Sequence, residues 1–197
     1  MGFAATAMGF PLMLYAQLVR GYSAFEASLL MVPMAVISFF MAPVVGRFTD
    51  KVHPKLLVTA AFAVCAIAVF WVSTPITSTS HVWELLVPMG LLGLGMSGVW
   101  APLAATATRN LPMHLAGAGA GVYNATRLVG SVIGSAGIAV LMDSRITAER
   151  AYTATGKVNP DGLSSAMSQS ILLPAAVLAL GFVASLLFAT PKHMQKA

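Results

Sequence analysis

The chain alternates long apolar runs with short polar breaks. Six runs stand out, roughly residues 2–19, 27–45, 56–74, 83–108, 117–142 and 167–190. A helix needs roughly 20 apolar residues to cross a hydrocarbon core of about 30 Å, and each run is close to that length. None alternates every second residue, as a barrel strand would. In lipid, the backbone of such a run is satisfied within its own segment, which means helix. No basic segment precedes the first run, so it does not read as a signal peptide. The expected fold class is an all-α membrane protein, a single domain of six transmembrane helices. The stretch 143–166, rich in Gly, Pro, Asn and Ser toward its end, is expected to be a mobile loop.

Composition agrees. Of 197 residues, 58% are hydrophobic and 9% charged, and the mean hydropathy is +0.84. Soluble domains are typically about 25% charged, so a water-soluble enzyme, a nucleic-acid-binding domain and a disordered chain are all excluded. The net charge of +5 then reads as cytoplasmic loops, not as a nucleic-acid footprint. With both termini inside, the inner loops hold six Lys/Arg (Arg47, Lys51, Lys55, Arg109, Lys192, Lys196) and the outer loops four (Arg20, Arg145, Arg150, Lys157). That bias predicts a multi-pass protein with both termini cytoplasmic; the membrane expected to hold it is the plasma (inner) membrane. The lone cysteine, Cys65, lies in an apolar run, and the four histidines are scattered. Neither offers a metal or redox motif, so no metal, cofactor or catalytic residue is expected.

The runs differ among themselves. The third has no glycine and reads as peripheral and lipid-facing. The fourth holds Gly90, Gly93, Gly95 and Gly98, and the fifth holds Gly130, Gly134 and Gly137. Small residues let helix backbones approach, so Gly93, Gly130, Gly134 and Gly137 are packing candidates. They could equally smooth a surface on which helices rock. Arg127 lies ten residues into the fifth run, about 15 Å deep at 1.5 Å per residue. An arginine there costs at least about 2.5–3.5 kcal/mol unless it meets a polar partner or a cavity. Asn124, Arg127 and Ser131 are spaced by three and four and share a helix face. They either line a cavity or mark a structural arginine. Tyr15 and Gln17, near the outer end of the first run, either line the same cavity or anchor the interface. No Asp or Glu falls deep in any run; Glu26 and Glu84 mark ends.

The break Gly46-Arg47-Phe48-Thr49-Asp50-Lys51-Val52-His53-Pro54-Lys55 has a local logic as a positive-inside turn: a glycine to end a helix, an acid, bases, and a proline to open the next helix. It also resembles the G-x-L-x-D-R/K-x-G-R-K/R motif of the major facilitator superfamily, which joins the second and third helices of each six-helix half. Gly46, Asp50, Lys51 and Lys55 match. Phe48 stands for Leu, while His53 and Pro54 depart from the pattern. Leu14-Tyr15-Ala16-Gln17, Gly21 to Ala27 and Val32-Pro33 resemble a run of the fourteen-helix drug:proton antiporters. Tyr123-Asn124-Ala125-Thr126-Arg127-Leu128-Val129-Gly130 resembles another, with Leu128 in place of Gln.

The resemblance spans essentially the whole chain and corresponds to the last six helices only. It implies the C-terminal part of a multidrug-efflux transporter. Such a protein exports amphipathic, often cationic compounds by alternating access in exchange for protons. Its coupling carboxylates lie largely in the N-terminal half. The implied partners are the lipid bilayer, a small amphipathic substrate, protons through the other half, and either the N-terminal helices of the same transporter or a second copy in a homodimer. The alternative is a truncated, transport-inactive fragment or an assembly partner. A membrane enzyme is disfavoured, because no nucleophile or metal motif is present.

Overall fold

The computed structural model describes residues 1–49, 52, 54–108, 111–153 and 156–187. Seven α-helices supply the six candidate spans. They are α1 Gly2–Leu14, continued by a wider π-helical turn over Tyr15–Val19; α2 Ala24–Leu29; α3 Val32–Thr49; α4 Pro54–Ser73; α5 Val82–Thr108; α6 Ala116–Ala148, entered through a 3-10 turn at Met113–Leu115; and α7 Pro160–Leu186. Among the described residues the only β pairing is a bridge between Tyr152 and Val158. The all-α membrane bundle expected from the sequence is what forms.

Helix ends follow local chemistry. Gly21, at φ 67°, turns the chain after the first span, a conformation that favours glycine. Ser23 then caps α2 in a reciprocal capping box with Glu26. The second span is interrupted at Leu30–Met31, just ahead of Pro33. A proline there cannot donate a backbone bond, and its ring crowds the carbonyl four residues back. The span starts at Ala24 and runs to Thr49, beyond the expected 27–45. Gly46 therefore does not end a helix: nothing breaks α3 there, and Arg47 suits a last turn.

The expected loop 143–166 is the largest correction. α6 continues to Ala148 and α7 already starts at Pro160, so the described non-helical residues between them are 149–153 and 156–159. Proline is favoured in a first turn, and Asp161 is the acid in that turn. The Ser-rich stretch that follows satisfies its hydroxyls inside the bundle: Ser164 donates to the Pro160 carbonyl (2.7 Å), Ser168 to the Ser73 carbonyl (2.7 Å) and Ser170 to the Ala166 carbonyl (2.7 Å). Back-bonded serines of this kind are compatible with helix, although they read as loop.

Successive spans alternate in direction. The end holding Met1 is called proximal here, and the end holding the Pro75–His81 turn distal. At the distal end Tyr15 donates to the Thr77 carbonyl (2.7 Å), Arg20 to the Ser78 carbonyl (3.2 Å) and Ser78 to Asp161 (2.5 Å). Hydrogen bonding with Tyr22 raises the Arg20 pKa further above its ordinary value, so it stays charged there. Near the proximal end Ser185 donates to Thr59 (2.9 Å).

The core lies between α1, α4, α5 and α7. Val58, Phe62, Cys65, Val69 and Val72 of α4 are all buried in it. The expectation that this span is peripheral and lipid-facing is thus corrected. One face carries Ala61, Cys65 and Ala68 into the bundle, while Leu56, Ile67, Phe70 and Trp71 stay exposed. In the most apolar stretch of the second span 6% of residues are buried, and in the α6 span 17%, against 50% in α5.

The glycines differ in what they permit. A Cβ on Gly93 would collide with the Met34 backbone of α3. One on Gly134 would sit 2.5 Å from the Phe3 carbonyl of α1. Gly130 and Gly137 leave ordinary 3.6 Å clearances to Phe3, and Gly121 faces open space. Gly134→Val should therefore destabilise the protein by about 1–3 kcal/mol, the usual cost of overpacking. Gly121→Ala should be neutral or stabilising by up to about 1 kcal/mol. Thermal or denaturant unfolding in detergent reads both, and equal effects would contradict the α1–α6 packing.

Candidate functional site

Arg127 is exposed on α6, eleven residues after the helix start at Ala116 and therefore about 16 Å along it. Its guanidinium lies over the ring of Trp100, 5.3 Å from the centroid. Trp100 sits eight residues before the end of α5 at Thr108, about 12 Å from that end. Both counts place the pair in the proximal half of the bundle, not at its middle. A cation–π contact contributes about 0.5–2 kcal/mol, less than the roughly 2.5–3.5 kcal/mol that the charge costs in a membrane helix. The pair leaves part of that cost to be met by something else.

Beside the pair is a hollow of about 220 Å³. Phe3 of α1, Trp100 and Leu103 of α5, and Tyr123, Thr126 and Gly130 of α6 are among its walls. Three helices therefore meet at it. The α1–α6 crossing sets its floor: a Cβ on Gly2 would run into the Arg127 carbonyl, and Thr6 donates to the Ser131 carbonyl (3.0 Å). A larger hollow of about 530 Å³ lies between α3 and α5, lined by apolar residues such as Val36, Phe40, Leu86 and Leu94. It brings no charge or polar side chain to a ligand, so the chemistry rests with the smaller one.

The other sequence candidates separate. Asn124 is exposed one turn before Arg127 on α6. Ser131 is half-buried and donates to the Arg127 carbonyl (3.1 Å), so the α1–α6 seam takes it. Gln17 is exposed on the π-helical turn; such wide turns are frequent at functional sites. Tyr15 is 1% exposed, and its hydroxyl is spent on Thr77. It anchors the fold and is not among the walls of the hollow at Arg127. Of the loop motif, Gly46 is exposed and Lys55 opens α4, while Asp50 and Lys51 lie outside the described residues. The sequence alone did not single out Trp100 or Phe3. Their only signal was an aromatic residue at the depth of Arg127, and depth across different helices is not legible from spacing within one.

The described carboxylates all sit near distal helix ends. Glu26 caps α2, Glu84 is in the first turn of α5, Glu149 ends α6 and accepts from Gln169 (2.6 Å), and Asp161 opens α7. Asp143 is exposed near the end of α6. None of these lies beside Arg127.

The sequence profile of the Major Facilitator Superfamily matches residues 1–135. The chain belongs to that superfamily. It is 40% identical to the uncharacterized MFS-type transporter Rv1250 of Mycobacterium tuberculosis, over 93% of this chain and 34% of that protein. It is 29% identical to the lincomycin resistance protein LmrB of Listeria innocua, over 80% of this chain and 33% of that one. It is 28% identical to the multidrug export protein EmrB of Haemophilus influenzae, over 64% of this chain and 24% of that one. The chain thus spans about a third or less of the length of these relatives. As a major facilitator chain it is a multi-pass membrane protein of a transporter family, and the hollow at Arg127 is where its charge meets its aromatic residues.

If Arg127 and Trp100 stabilise one another, Arg127→Leu, Trp100→Leu and the double variant should show a coupling of about 0.5–2 kcal/mol in unfolding free energy. Additive effects within about 0.3 kcal/mol would show that the stacking contributes nothing.

Proposed function

We propose that this chain is the C-terminal six-helix bundle of a drug-exporting antiporter. It moves amphipathic small molecules out of the cell by alternating access, with both termini cytoplasmic. The observation that carries the reading is Arg127. It is a permanent charge on an exposed face of a membrane helix, set over Trp100 at the edge of a hollow made by three helices. Intramembrane charges of this kind mark substrate or ion pathways by default. The names of LmrB and EmrB, a lincomycin resistance protein and a multidrug export protein, support the export class.

A second bundle completes the transporter. The sparse burial of the second span and of α6 leaves two helices whose surface suits such a partner. Transporters of this kind bind at the interface between two repeats and rock one against the other. The partner is the N-terminal half of the same polypeptide; the other arrangement is a homodimer of this bundle. Protons drive the exchange through carboxylates of the second bundle, because the acids described here serve distal helix ends. Arginine itself does not deprotonate.

In cells expressing the natural polypeptide, Arg127→Ala should bring dye efflux close to background while membrane levels stay normal. Parental efflux by that variant would remove Arg127 from the site. An antibody to residues 191–197 should detect a band well above the 20.5 kDa of this chain. A band at that mass would leave either a homodimer as the working unit or a transport-inactive fragment.

A further inference from the structure

We propose that the Arg127–Trp100 hollow takes the anionic head of an amphipathic carboxylate. The inference rests on the transporter reading above and names the substrate class of its site. The guanidinium is a permanent cation with donors only. The nearest described carboxylate on its own helix, Asp143, is sixteen residues on, about 24 Å along the axis. Glu26, Glu84, Glu149 and Asp161 are likewise at the distal end, where capping and hydrogen bonds occupy Glu26, Glu149 and Asp161. No described acid therefore neutralises Arg127; its counter-charge comes from outside the described residues, and the proposal assigns it to the incoming ligand rather than to a carboxylate of the second bundle.

The walls fit the same chemistry. A guanidinium pairs with a planar carboxylate through two parallel donors. A cationic head would meet like charge here, and the Trp100 face that could receive it already carries the guanidinium. The volume of about 220 Å³ is below the roughly 300–1,000 Å³ of a pocket that encloses a whole ligand. The hollow therefore holds the head group, with Phe3, Leu103 and Tyr123 against the first apolar part of the molecule, and the remainder extends outside it.

The test uses the purified natural polypeptide in lipid nanodiscs and three probes of one shape: benzoate, benzamide and benzyltrimethylammonium. Calorimetric titration at about pH 8 keeps the benzoate ionised, far above an ordinary carboxyl pKa. Benzoate should bind at least tenfold more tightly than either other probe. Arg127→Ala should erase that preference, and Arg127→Lys, which keeps the charge but loses the fork, should keep part of it. Equal or tighter binding of the cation, or a preference that survives Arg127→Ala, overturns the proposal. The ranking by the unmodified protein decides even if a variant fails to insert. Efflux measured on the same protein separates the two readings. Arg127-dependent benzoate binding without efflux sinks the transport reading alone; efflux of a cationic dye without benzoate preference sinks this inference alone.

Discussion

Helices in lipid gain little by burying apolar surface against one another, because the surrounding chains are equally apolar. What holds them is close van der Waals contact, and that depends on how near two backbones can come. In this bundle the approach is set at a few crossings. Gly93 admits the backbone of Met34, Gly95 admits Cys65, and Gly134 admits Phe3. The hollow at Arg127 depends on the last of these. The crossing of α1 on α6 brings Phe3 and Gly2 up to the Arg127 backbone, and Trp100 closes the third side from α5. A bulky residue at Gly134 would move a wall of the site as well as weaken the fold.

Polar chemistry is divided between the two ends. The distal end is where the hydrogen bonds between elements gather, tying α1, the Pro75–His81 turn and α7 through Tyr15, Arg20, Ser78 and Asp161. The described acids lie toward that end, and Glu26, Glu149 and Asp161 are committed there. The proximal half holds Arg127, an intramembrane cation set over an aromatic ring. This separation gives Arg127 its significance: a charge that the fold's own described acids do not reach is available to something outside the bundle.

Much of the fold was legible in the sequence. Six apolar runs, the intervening charges and the glycine-bearing helices follow from hydropathy and composition alone. The errors fell where a local signal competed with packing. The stretch 143–166 looks like a loop because Ser, Gly, Pro and Asn favour turns, yet α7 already starts at Pro160 and buried Ser164 bonds back to the Pro160 carbonyl. The third span looks lipid-facing for want of glycine, yet the glycines that let it pack, Gly95 and Gly98, belong to its neighbour. Gly46 looks like a helix end, yet with no breaker beside it α3 runs on to Thr49.

The candidate site was half visible. An arginine inside an apolar run is conspicuous whatever surrounds it, because its desolvation cost is a property of the residue. Asn124 and Ser131 follow from helical period, since spacing by three and four fixes a common face. Tyr15 and Trp100 exchange roles for a reason that no spacing records. Whether an aromatic side chain meets the core, a loop carbonyl or a guanidinium depends on which helices cross and at what depth. The sequence by itself determined that this is a six-span membrane chain with a costly charge inside an apolar run, because both facts are sums over residues. Only the tertiary structure decided what that charge faces, because contacts between helices are set by close backbone approach at glycines distant in the chain.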